Sequence, residues 1–144
     1  MKKLLALLTM LSLILCVFCA CSQNDSEGSA TLVIVGEEST VYTVPLSELS
    51  EGKGLMPAFE YLKETKGLEY EVSGSMIGKI GELENDYDLG KYIFIFTSVE
   101  ADFDVSELKR EVEYEGKTLV STGVGFDQMT LTSGAIIYIG LVSY

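Results

Sequence analysis

Two stretches of this chain, KYIFIFTSV (91–99) and AIIYIGLVSY (135–144), are apolar at odd and even positions alike. Side chains alternate between the two faces of a strand. Ile93 and Ile95 therefore oppose Tyr92, Phe94 and Phe96, while Ile137, Ile139 and Leu141 oppose Ile136, Tyr138, Val142 and Tyr144. Each strand needs cover on both sides. A single helix shields one face of a sheet, and monomeric proteins seldom leave apolar patches open beyond a few hundred Å². The second face is either roofed by the chain's own segments 74–90 and 100–109, or it meets a ligand or a partner. Those segments bring Met76, Ile77, Ile80, Leu83, Tyr87, Phe103 and Val105 to pack with.

One helix is all that the pattern offers past the N-terminal region. In GLMPAFEYLKETKG, Leu55, Phe59 and Leu62 recur at i, i+4 and i+7. Pro57 sits in a first turn that tolerates it, Lys63 and Lys66 fall near the negative end, and Gly67 supplies the stop. Upstream, TLVIVG (31–36) and TVYTVPL (40–46) read as a hairpin across GEES. Downstream, LEYEV (68–72) reads as a half-buried strand, 74–90 as a long glycine-punctuated loop, and REVEYEGKTLVS (110–121) as one or two strands. A hairpin, a helix and further strands make an α+β domain, with one helix across a single mixed sheet. A β-grasp-like arrangement satisfies that order.

The N-terminus reads as an address. Lys2 and Lys3 precede the apolar run Leu4 to Phe18, and small residues follow, the order of a secretory signal peptide. Of the three cysteines, Cys16 and Cys19 follow bulky residues, and only Cys21 follows a small one, Ala20. FCAC resembles a bacterial lipobox, with Cys21 as the lipidated first residue of the mature chain. An uncleaved membrane helix would be short for a bilayer, and a zinc site lacks a second ligand pair. The expected organisation is a lipoprotein signal peptide at 1–20, a lipidated cysteine and flexible tether at 21–30, and one β-grasp-like domain at 31–144. That places the protein on the extracytoplasmic face of a bacterial membrane, held by lipid.

Loss of Lys2 and Lys3 with the leader leaves eight basic against 22 acidic side chains, a formal charge of −14. Nonspecific nucleic-acid binding needs clustered Lys and Arg, so that class is excluded. The chain has no histidine, which removes imidazole bases and His-based triads. GSMIGKI (74–80) lacks the spacing and the Ser or Thr of a phosphate loop, and GVGFDQ (123–128) lacks the third glycine of a dinucleotide fingerprint. Ser106 and Lys109 form an S-x-x-K pair without its partner motifs. Glu84, Asp86 and Asp88, with Asp102 and Asp104, offer carboxylates to a calcium ion, but Leu89 and Ile95 stand where an EF-hand needs Gly and Glu. A solvated surface is the expectation for them. No catalytic residue, metal site or cofactor is expected.

STGVGFDQMTLTSGAIIYIGL (121–141) and TVPLSELSEGKGLMPAFEYLKETKGLEYEV (43–72) are similar to segments of the transcobalamin-like C-terminal domain family. That resemblance implies a β-grasp-like fold on a secreted or lipid-anchored bacterial protein. Its eukaryotic namesakes cover one face of a bound cobalamin, so it also implies a small ligand such as a corrinoid. The chain carries KYIFIFTSV, without tryptophan, where family members commonly have a Trp-containing strand. Aromatics beside glycine-rich loops suit a binding surface. The expected ligand-binding residues are Tyr92, Phe94, Tyr138, Met76 and Phe126. The alternative is a protein–protein or cell-wall interaction module with no small-molecule ligand.

Overall fold

The computed structural model describes residues 28–49 and 52–143. The signal peptide, Cys21, most of the tether and Tyr144 lie outside the described residues, so the readings placed on them stand as expectations.

Among the described residues, nine strands and one α-helix make an α+β domain. Strands β1 (Ser29–Val35) and β2 (Ser39–Pro45) form an antiparallel hairpin, followed by helix α1 (Leu55–Lys66). Three short strands come next, β3 (Tyr70–Ser73), β4 (Met76–Ile80) and β5 (Leu83–Glu84). Strand β6 (Lys91–Thr97), the hairpin β7 (Glu111–Tyr114) and β8 (Lys117–Ser121), and β9 (Ile136–Ser143) complete the fold. The main sheet runs β2-β1-β9-β6-β8-β7, with β1 and β9 parallel and the other neighbours antiparallel.

The helix forms where its periodicity placed it, and it buries Leu55, Ala58, Phe59 and Leu62. Gly67 ends it in the left-handed region at φ 70°, a conformation that costs a side chain 1–2 kcal/mol, roughly. The Leu68 N–H then reaches back to the Leu62 carbonyl at 3.3 Å, while both side chains are buried in one cluster. The near face of the sheet supplies Leu32, Ile34, Val44, Ile95, Ile137 and Ile139 to that cluster.

Three expectations need correction. Segment 74–90 is not a loop: it holds β4 and β5, which pair with β3 as a second, three-stranded sheet. Gly74 and Gly81, at φ 60° and 55°, make the turns that return the chain on itself. The domain accordingly has two sheets among the described residues, not one. That second sheet also sits on the helix side, because Ile77, Ile80 and Leu83 join the helix cluster. Nor does segment 100–109 roof the far face, since Val105 is 95 % and Leu108 86 % exposed.

The far face is partly covered by the β7–β8 hairpin instead. Leu119 is fully buried there with Val33, Phe96 and Ile136, and Val112, Tyr114 and Tyr138 pack around them. In a flat sheet, β7 and β9 would lie ~14 Å apart, three spacings of ~4.8 Å. The rings of Tyr114 and Tyr138 nevertheless meet with centroids 6.1 Å apart. The two side chains lean toward each other over the far side of the sheet.

Candidate ligand-binding site

Strand β6 is incompletely paired. Along one edge it matches β9 from Lys91 to Thr97. Along the other it meets β8 only at Phe96 and Thr97, after which the Thr122 N–H donates to the Ile95 carbonyl at 3.0 Å. At the opposite end, Lys91 exchanges two backbone bonds with Asp86, of 2.8 and 2.9 Å. Between these anchors the Ile93 N–H donates to Asn85 Oδ1 at 2.7 Å. Backbone groups of alternate residues point to the same strand edge, so this edge also carries the Ile93 carbonyl and the Ile95 N–H. Neither group is engaged by the strand pairing or by the bonds that flank it among the described residues.

A cavity of about 310 Å³ opens at this gap. Its walls come from both sides of β6, with Ile93 and Ile95 on one and Tyr92 and Phe94 on the other. Strand β4 contributes Met76 and Ile77, and the loop after β8 contributes Thr122, Val124 and Phe126. Phe126 is a buried floor, its ring stacked on Phe59 at 5.9 Å. Met76 is a rim residue, 70 % exposed. Tyr92 meets Tyr87 edge-on at 5.8 Å, and the Arg110 guanidinium lies 5.6 Å from the centre of the Phe94 ring.

Four of the expected ligand-binding residues, Tyr92, Phe94, Met76 and Phe126, line this one cavity. Tyr138 does not line it. Although it shares a face with Phe96, to which it pairs across the strands, it sits on the central strand β9 between the rings of Phe96 and Tyr114. It borders a separate hollow with Val35, Val112 and Val142.

The sequence reading passed over Asn85, Thr122 and Val124. Asn85 Nδ2 donates to the Ile77 carbonyl at 3.1 Å while its Oδ1 takes the Ile93 N–H, so one amide ties β4 to β6. Thr122 Oγ1 donates to the Val124 carbonyl at 3.0 Å and accepts from the Val124 N–H, which folds the loop tightly. Gly125 completes that loop by close approach: a Cβ there would lie 2.5 Å from the Ser75 Cβ. Only the glycines of GVGFDQ were visible beforehand, and they serve packing.

No Asp, Glu, Lys or Arg lines the cavity, although the chain carries a formal charge of −12. Burying an ion there would leave it uncompensated. Three of the acids considered for calcium have other work. Asp102 is buried and accepts from the Thr130 N–H at 3.0 Å, Asp104 accepts from the Ser106 N–H at 2.8 Å, and Asp86 Oδ1 accepts from the Leu89 N–H at 3.0 Å. Among the described residues no three His, Cys, Asp or Glu side chains are grouped to hold a metal ion. Ser106 and Lys109 are likewise engaged, Ser106 Oγ by the Leu108 N–H at 3.2 Å and Lys109 by Glu111 at 3.0 Å.

No family model matches the chain, and no curated protein does. A solved structure from Ruminococcus gnavus, described provisionally as a metal binding protein, is similar to it with a TM-score of 0.52. The two are 15 % identical, over 82 % of this chain and 99 % of that one. The likeness is one of fold.

Proposed function

We propose that this chain is a lipid-anchored extracytoplasmic protein that captures a small, uncharged, largely apolar ligand at the open edge of β6. The observation that carries this reading is the cavity itself: about 310 Å³, walled by aromatic and aliphatic side chains, and free of charged groups in an acidic chain. Ligand sites are concave and mainly apolar, with volumes of ~300–1,000 Å³. This cavity is at the small end, enough for a compact molecule or for one ring of a larger one. The non-catalytic reading rests on the same lining, in which Tyr92 is the sole titratable side chain.

The resemblance to transcobalamin-like C-terminal domains makes a corrinoid the first large ligand to try. The order β2-β1-β9-β6, with β1 parallel to β9 and one main helix, accords with the β-grasp-like architecture that this resemblance implies. Cys21 would be the lipid anchor, and with it the protein would face outward from a bacterial membrane. Methyl-resolved NMR of the intact chain, titrated separately with indole and with cobalamin, tests the reading. Indole, neutral and planar, is expected to move the Ile77, Ile93, Ile95 and Val124 methyl signals. Silence of those methyls with both compounds would contradict capture at this site, and silence with cobalamin alone would remove the corrinoid.

A second reading, a cell-surface interaction module without a small ligand, draws on the exposure of Val105 and Leu108 in the loop before β7. A membrane pull-down that loses its partner with Val105→Ser and Leu108→Ser together would favour it.

A further inference from the structure

The gap in β6 has a chemistry of its own, and it narrows the ligand class. Between the Asp86–Lys91 bonds at one end and the Thr122–Ile95 bond at the other, the free edge offers one acceptor, the Ile93 carbonyl, and one donor, the Ile95 N–H. These two groups flank Phe94. In an antiparallel pairing, the carbonyl before one residue and the N–H after it would meet this donor and acceptor together. That residue would lie opposite Phe94, in the position where facing side chains approach most closely. The gap has room for no second residue, because the neighbouring backbone groups on both sides are already taken.

We infer that the cavity recognises one extended residue held between two uncharged amide groups, a blocked aminoacyl unit, running antiparallel to β6. Both flanking neighbours of β6 are antiparallel to it, so the unit continues the existing ladder. Its apolar side chain rests beside Phe94, on the face where the Arg110 guanidinium covers that ring, while its two ends lie along the stretch of wall that no charged residue lines, where a free carboxylate or ammonium is disfavoured. This inference rests on the proposed capture role and specifies what is captured.

The test uses two compounds that differ by one hydrogen-bond donor. N-acetyl-L-leucine N-methylamide and N-acetyl-L-leucine methyl ester are titrated into the intact, ¹⁵N-labelled chain. The methylamide is expected to bind about fivefold more tightly, the typical effect of one lost hydrogen bond, and to move the Ile95 N–H signal downfield. Equal or tighter binding of the ester, or shifts that spare Ile95, would overturn the amide assignment. So would silence of both compounds where indole still moves the cavity methyls, an outcome that leaves the capture site standing. Silence of all three would overturn both.

Discussion

Asn85 holds two structural layers together with a single amide. Nδ2 binds the Ile77 carbonyl and Oδ1 the Ile93 N–H, so the side chain substitutes for a missing strand beside β6. Asn85→Ala removes both bonds and leaves their backbone partners unpaired at a part-buried position. The expected loss is ~1–3 kcal/mol, seen as a lower urea midpoint. A second residue reports through pH. Burial, followed by the hydrogen bond to Glu60 and that carboxylate's charge, pushes the Tyr70 hydroxyl up to about 12 from 10.0. Raising a phenol's folded value means that the native state keeps its proton longer than the unfolded chain does. This contribution to stability is therefore complete below pH 10, falls as pH rises from there, and is gone above about 12. Absorbance titration should find Tyr70 ionising late, and Glu60→Gln should bring it down.

At the scale of elements, the β7–β8 hairpin decides which face of the sheet is available. Its two-residue turn, Glu115-Gly116, has positive φ at both positions, 49° and 75°, the geometry that suits a tight hairpin and favours Asn-Gly. Glutamate is the strained member. Glu115→Gly should raise stability by about 1 kcal/mol, measured as a higher urea midpoint; no gain would mean that the turn is not in this conformation. The hairpin's EYEG sequence marks it as paired strands, but nothing local says that it brings Tyr114 against Tyr138. That contact depends on how few residues join β8 to β6, which is a tertiary fact. The β3-β4-β5 sheet was hidden for another reason. Its strands are four, five and two residues long, and Gly78 interrupts the alternation that would have marked β4.

Over the whole molecule, what could be read from sequence was whatever rests on a repeating period. The helix, the doubly apolar strands β6 and β9, and their facing residues all follow from spacings of 3.6 and 2. The conflict between one helix and two greasy faces was readable too, though its resolution was not: the hairpin covers part of the far face, and the cavity opens at an edge. Aromatic character pointed to Tyr92 and Phe94, but backbone groups at an edge have no signature in side-chain identity, and Asn85 looked like one polar residue of an acidic turn. The account stands on that edge being open. Amide hydrogen exchange along β6, followed residue by residue in the unliganded chain, measures it most directly. The Ile93 N–H, held by Asn85, should exchange slowly with Phe94 and Phe96, while the Ile95 N–H between them exchanges much faster. Protection of Ile95 equal to that of its neighbours would mean that the edge is closed.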